Sequence, residues 1–600
     1  MVDPAAPPRL PFVLSAGVTG HRNGALAAAG RDALRARIGD ALAAIAAAAS
    51  AVRAREPGLF AGDGARLHFV SPLADGADQI AAEAALDHGF ALHAVLPFAR
   101  DQYRASLADE SSRERFDGLL GRAACLLELP GEGGAEVDAY VMTGRATIAH
   151  CDLLIAIWDG LPPRGRGGTA DVVQLAILRG TPVLHLPVDP ATPARLLWAA
   201  FDPAVLTQGE DAMAERPFTC HHLEHMLDAL LLPPPDPQER QFLKQFASER
   251  VRRIRARIEY PLLLAAAGVK RFRLRTMLEH NATAAIDAEW REYREHCSQR
   301  HEISAGLDLL EQAYTWADRL ATRFAQTYRS GHVFNFVLGG LAVCLGLASF
   351  MWPRALLAMA IFEFCITLAI IVNTKVGVRN EWHRRWLDYR QLAERLRPMR
   401  SLKLLGIAAP DPPGTPTNPV AKRWIDWYAA GIWRAMGCPA GSIDGARAAQ
   451  LSQAVAAFEV APQVAYHGAS SRQISTLDQR LDAIAMILFW ATLIVSVVTI
   501  AGRALAPELL DRANNWFTLI SAGFPALATA VFGIRFQGDF GGSALRSLAT
   551  ADSLRKIDDE LKSGVPLPRA ADLTEQAART MLGDLDEWRL VNQQHDLGIG

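Results

Sequence analysis

Residues 151–180, CDLLIAIWDGLPPRGRGGTADVVQLAILRG, join an unbroken apolar run to a glycine-rich loop and then to an apolar-periodic helix. Leu153, Leu154, Ile155, Ala156 and Ile157 follow one another without alternation, so Cys151 to Trp158 reads as a strand buried on both faces. Asp159-Gly160 ends it. Gly165, Gly167 and Gly168 lack the Cβ atoms that would keep a ligand off the backbone, and Thr169 stands where the next helix exposes its free N–H groups. Helix starts of this kind attract phosphate or carboxylate. Alone, the cluster is equally compatible with a capped surface loop.

A second glycine motif changes that balance. Phe12 to Ala16 reads as a strand, and GVTGHR at 17–22 follows it as a tight turn before an alanine-rich helix from about Ala25 to Arg55. Gly17 and Gly20 permit the turn, Thr19 offers a hydroxyl, and His21 and Arg22 offer charge or planar hydrogen bonding to an anion. A third polar loop lies in LHFVSPLADGAD. Here Leu67 to Val70 form a strand, and Ser71, Asp75, Gly76 and Asp78 open the next helix. Further strands are expected at Leu92 to Leu96, Ala124 to Leu129 and Pro182 to Leu186. Strand and helix thus alternate six times. Residues 10 to about 190 are predicted to form an α/β Rossmann-like doubly wound parallel sheet, with its ligand at the carboxyl ends of the strands. All three polar loops, including Asp159, follow strands on that edge, so a nucleotide-type small-molecule ligand is expected there.

GVTGHR, SPLADGAD, the strand ending in WDG and the GRGGT loop resemble the SLOG superfamily. This Rossmann-like group includes phosphoribohydrolases and the sensor region of melastatin-type TRP channels. In the enzymatic branch the loop reads Pro-Gly-Gly-x-Gly-Thr-x-x-Glu, and the glutamate serves catalysis. Aligned on Thr169, this chain has Arg164 for the proline, Arg166 for the second glycine and Val172 for the glutamate. A valine cannot act as a general acid, so the resemblance implies ligand sensing rather than hydrolysis. No catalytic residue is assigned. A hydrolase using Asp75, Asp78, Asp159 or Asp171 is the alternative.

Six hundred residues are too many for one core, and a net charge of −2 argues against a dedicated nucleic-acid binder. Seven cysteines without a CxxC pair suggest neither a disulfide framework nor a zinc ribbon. CHHLEH at Cys220 to His225 reads as a solvated helix rather than a metal site, and no metal or cofactor other than the nucleotide-type ligand is expected. The start, MVDPAAPPRLPF, has no basic-then-apolar leader, so no cleavable signal is expected. From about Pro187 to Pro235 the strand pattern dissolves, and PPPDP at Pro233 to Pro237 marks a linker.

The apolar runs Val333 to Trp352, Ala355 to Asn373, Ala483 to Gly502 and Trp516 to Ile534 are each long enough to cross a bilayer as a helix. They form two hairpins, the second joined by a short polar loop, with Pro525 inside the fourth run. Glu363 lies in the middle of the second run. A carboxylate there is costly against lipid, so it is expected to face a helix interface, an ion path or a partner. Basic residues crowd the chain ends of the hairpins, which predicts cytoplasmic N and C termini. The hairpins, with WLDYRQLAERLR after the first, resemble the two-span SLATT module. That resemblance implies association with nucleotide-producing antiviral defence in bacteria, hence the bacterial inner membrane; an ion channel or membrane-disrupting assembly is expected, and since four spans are too few for a central pore, a homo-oligomer. A transporter using Glu363 is a further alternative.

The expected organisation has seven parts: a ligand-binding unit (1–190), a connector (191–237), a helical coupling region (238–332), the first hairpin (333–373), a helical region (374–482), the second hairpin (483–534) and C-terminal helices (535–600). Trp424, Trp427 and Trp433 mark an aromatic helix in the middle region, expected to pack on neighbouring helices.

Overall fold

The computed structural model describes residues 6–26, 30–131, 135–162, 165–201, 215–250, 257–272, 280–297, 304–411, 422–505 and 507–592. Arg164 lies outside them. The N-terminal third is built on β1 (Pro11–Gly20), β2 (Ala61–Ser71), β3 (Ala91–Leu96), β4 (Cys125–Glu128), β5 (Leu153–Trp158) and β6 (Val183–Pro187). Their crossovers include α1 (Arg31–Arg55), α2 (Ala77–Asp87), α3 (Glu110–Leu120), α4 (Glu136–Ala149) and α5 (Thr169–Leu178). These six strands are parallel in the order β6-β5-β1-β2-β3-β4. The predicted α/β sheet is therefore present. Its strand order reverses between β1 and β5, the place where doubly wound sheets open a crevice.

Three local expectations are corrected. Gly17 to Gly20 do not form a turn. β1 continues to Gly20, paired with β2 as far as Gly17 and with β5 from Ala16 to Gly20. Gly17 is needed for packing, since a Cβ there would meet Cys151 Sγ at 2.9 Å and Thr147 Cγ2 at 3.0 Å. Nor does the strand pattern end at Pro187. β7 (Arg195–Leu197) adds to the sheet antiparallel to β6, and β8 (Glu215–Pro217) adds antiparallel to β7; both are too short to show an apolar period in sequence. The polar stretch between the third and fourth apolar runs is largely helical. One helix reaches Leu505 and the next starts at Pro507, where the missing N–H of proline costs nothing.

The remaining principal helices are α6 (Ser304–Ala348), α7 (Leu356–Arg379), α8 (Trp382–Leu396), α9 (Trp424–Ala435), α10 (Ala461–Leu505), α11 (Pro507–Gly538), α12 (Phe540–Lys562) and α13 (Leu567–Asn592). Helix α9 packs on the sheet and its helices. Trp427 Nε1 donates to Leu231 O at 2.7 Å, and Trp433 Nε1 donates to Ala149 O at 3.0 Å. A Cβ on Gly431 would meet Leu10 at 2.5 Å. The same region supplies β9 (Gly441–Ser442), parallel to β4 at the far sheet edge. One apolar core therefore runs from the sheet into the middle helices.

Four helices are long and apolar enough to cross a membrane, with mean hydropathies of 1.7, 2.6, 2.5 and 1.8 over their most apolar windows. The first and fourth pack together. Gly340 faces Ala530 and Leu527, Gly533 faces Phe336, and Trp352 meets Trp516 edge to face. Phe362, Phe364, Ile487 and Ile494 on α7 and α10 are exposed, as lipid-facing side chains are. Asn373 locks α7 to α6, its Nδ2 donating to Gly331 O at 3.0 Å and Asn335 Oδ1 at 2.8 Å.

Candidate functional site

A cavity of about 390 Å³ opens at the β1/β5 crevice, within the size range of small-molecule sites. Its walls carry Thr19, Gly20, His21 and Arg22 from the end of β1, and Asp78 from the start of α2. Asp159 comes from the end of β5, with Gly165, Gly167, Gly168 and Thr169 from the glycine loop and the start of α5. The parallel register forces this meeting. Gly20 pairs with Ile157, so chain leaving β1 and chain leaving β5 emerge side by side.

Local hydrogen bonds hold the two chain ends together. His21 N–H donates to Ile157 O at 3.0 Å, Asp159 N–H donates to His21 Nε2 at 3.3 Å, and the Asp159 carboxylate lies 3.3 Å from the same nitrogen. In the glycine loop Gly167 has φ of +78°, a conformation that costs a side-chain-bearing residue, and its N–H donates to Asp171 Oδ2 at 2.8 Å. Asp171 thus closes the loop from outside the cavity. Gly168 caps α5 and, having no side chain, makes no side-chain cap to the first helical N–H groups. They face the cavity as an anion-binding end. Arg166 lies beside them, paired with exposed Asp138 at 3.4 Å.

Four expected residues stand behind the cavity rather than in its wall. Gly17 packs β1 as described. The Ser71 hydroxyl accepts from Leu73 N–H at 3.1 Å and sits 3.4 Å from Asp78 O. Gly76 has φ of +107°, and a Cβ there would meet His21 O and Asn23 N at 2.7 Å. Asp75 approaches Arg22 at 3.9 Å. Together these residues build the turn that seats Asp78. That side chain is buried, and its Oδ1 has no hydrogen-bond partner among the described residues. Burial pushes its carboxyl up to about 8, so it is largely protonated at neutral pH and is suited to donate to a ligand oxygen.

Sequence reasoning missed one wall. Helix α4, the crossover into β5, supplies Tyr140, Thr143, Gly144 and Thr147, and Tyr103 and Trp158 add aromatic surface. Arg22 lies 5.1 Å from the Tyr140 ring centroid. The spacing of Tyr140, Thr143, Gly144 and Thr147 places small and polar groups on one helical face, which was the available signal. Val172 also lines the cavity, and a Cβ built on Gly144 would meet its Cγ2 at 2.7 Å. Val172 is therefore an apolar contact with α4.

Outside this cavity, Cys220–Leu231 is the expected helix, and no group of three metal-ligating side chains occurs among the described residues. Glu363 lies on the exposed side of α7, with Oε2 3.6 Å from where a Cβ on Gly346 would be. Compared with family models, curated proteins and solved structures, the chain matches none.

Proposed function

We propose that the chain is a membrane-embedded sensor in which a nucleotide or nucleotide-derived ligand fills the β1/β5 cavity and gates the apolar helices. Assembled as a homo-oligomer, these helices form a pore or disrupt the bilayer. One observation carries this reading: two walls of the cavity share one carboxylate on a helix that leads back to the membrane part. Glu575 on α13 accepts from Arg179 at the end of α5, at 2.7 and 2.8 Å, and pairs with Arg145 of α4 at 3.1 Å. Helix α13 packs on α12, which follows the fourth apolar helix after a single left-handed residue, Asp539. A ligand that shifts α4 or α5 pulls on that connection, provided it binds the two arrangements unequally.

The chemistry of the cavity fits the ligand class. The α5 N-terminus and Arg166 suit phosphate, Tyr140 and Trp158 suit a planar base, and Asp78 suits a hydroxyl. Basic residues flanking the spans favour a bacterial inner membrane with both termini cytoplasmic. Kinship with SLOG sensors and SLATT modules, and with it antiviral defence, belongs to the same proposal. Glu363 favours an oligomer, because a carboxylate on an outward apolar face is stabilised by a partner helix or an ion path.

Thermal unfolding of the full chain against mono-, cyclic, di- and ribosylated nucleotides tests the cavity. A true ligand at a hundred times its dissociation constant adds about 2.7 kcal/mol to stability and leaves a Gly168→Trp variant unmoved. A full panel without effect on folded protein contradicts the proposal. Hydrolysis is the second reading, favoured by Asp78 and Asp159 lining one cavity. Turnover of any panel member by wild type, lost in Asp78→Asn, replaces sensing with catalysis.

A further inference from the structure

A second cavity, of about 430 Å³, lies where the apolar spans give way to charged helix. It is walled by the helix Glu259–Ala266 with α6, α8, α10, the end of α11 and α12. Its depth follows from the sequence. His332 immediately precedes the first apolar run, and Gln537 stands three residues after the fourth, so the cavity sits at headgroup level. We propose that it binds a phosphate-bearing anion, as the headgroup of an anionic phospholipid or as a soluble phosphorylated metabolite. This site is separate from the β1/β5 cavity and does not depend on the sensor reading.

Charge is the first support. Lys270, Arg271 and Arg329 line the cavity, and none has a carboxylate partner among the described residues. The lining carboxylate Glu394 is already taken, by Arg390 at 2.5 Å and by Arg397. Arg390 also pairs with Asp318 at 3.4 Å, and Arg546 is neutralised by Asp539 at 2.6 Å. Among the described residues, three of the lining cations are therefore left without a carboxylate.

The second support is a buried, unpartnered group. His332 is 1 % exposed, and neither ring nitrogen has a hydrogen-bond partner among the described residues. Leaving such nitrogens unpaired is costly, and a phosphate oxygen accepts well from the one that carries the ring proton. Arg329 is held by aromatic faces, 4.8 Å from the Trp386 centroid and 5.4 Å from Tyr260, which leaves its N–H edge for an anion. Leu264, Ile474 and Phe540 supply apolar wall beside these cations, as the start of an acyl chain requires. Basic pockets between spans at this depth are recurrent lipid-headgroup sites. Because α6 and α10 to α12 all contribute, an occupant bridges the two hairpins.

The test uses full-length protein in neutral detergent. Thermal unfolding and native mass spectrometry are followed while phosphatidylglycerol, phosphatidylcholine, inorganic phosphate or glycerol phosphate is titrated in. Wild type is compared with the exposed double variant Lys270→Gln/Arg271→Gln and with Arg329→Gln. A stabilising, retained anionic lipid supports the proposal if the double variant raises the half-saturating lipid fraction roughly thirtyfold. Stabilisation by the soluble phosphates with the same variant dependence supports it with a soluble source. Equal effects of the two lipids, variants that respond like wild type, or no response from any ligand overturn it.

Discussion

Replacing Glu575 by glutamine keeps its shape and removes the charge that joins α4 and α5 to α13. The carboxylate side chain is 6 % exposed, and its partners Arg145 and Arg179 are 15 % and 18 % exposed. It also accepts from Ala409 N–H at 3.1 Å. Exposed ion pairs contribute up to about 1 kcal/mol, whereas breaking a buried one costs about 3 to 5 kcal/mol because a charge is left unpaired. Two mostly buried guanidiniums lose one shared partner here, while glutamine retains one acceptor. An intermediate cost of about 2 to 3 kcal/mol follows. Read as hydrogen exchange in α13 through local opening, that cost is an acceleration of roughly 30- to 150-fold. Asp572→Asn is the control. Asp572 is 54 % exposed and pairs with Arg145 at 2.6 Å, so its loss changes exchange by no more than about fivefold. Arg179→Gln combined with Glu575→Gln costs less than the sum of the two single changes, since they share one interaction. Exchange in Glu575→Gln within threefold of wild type, or strictly additive costs, refutes the idea that this carboxylate holds the units together.

Other perturbations reach the cavity and the membrane. Burial raises the Asp78 carboxyl to about 8, so the folded state holds a proton that the unfolded chain releases near pH 4. Stability therefore falls as pH rises between those values, by up to about 1.4 kcal/mol per unit, and unfolding of Asp78→Asn between pH 5 and 8 has a shallower slope. Parallel slopes would place the ionised form in the cavity instead. Gly144→Ala drives a methyl into Val172 and costs about 1 to 3 kcal/mol in thermal unfolding; Val172→Ala restores most of it. Failure of that rescue means that the α4–α5 contact is looser than 2.7 Å implies. Glu363→Gln leaves folding and assembly intact in size-exclusion measurements and alters single-channel conductance or ion selectivity. Unchanged conductance makes the residue a structural hydrogen-bonding group.

Much of the scaffold was legible because it rests on local pattern. Short, mostly apolar runs gave β1 to β6, long ones gave the four long apolar helices, and the glycine spacing at 165–168 located the start of α5. The misses share a physical cause, dependence on distant chain. β9 is two residues, Gly441–Ser442, with no apolar period, and it exists only because Leu127 and Glu128 offer a sheet edge. The Tyr140 to Thr147 face becomes a cavity wall only because the loops after β1 and β5 are placed beside it. Arg179 and Glu575 are 396 residues apart, and nothing in either neighbourhood announces the pair. The turn-like GVTGHR stretch misled for the opposite reason. Its first glycine serves close packing inside a sheet, a demand that sequence cannot distinguish from a bend.

Ligand-dependent flux tests most directly whether the cavity controls the membrane helices. Purified full-length protein is reconstituted in dye-loaded liposomes and exposed to the nucleotide that stabilises it. Wild type, Gly168→Trp and Glu575→Gln are compared, with ligand binding measured in parallel. Sensing through the α4/α5 connection predicts nucleotide-triggered flux in wild type, loss of both binding and flux in Gly168→Trp, and retained binding without flux in Glu575→Gln. Flux that is independent of nucleotide, or undiminished when the cavity is blocked, contradicts it.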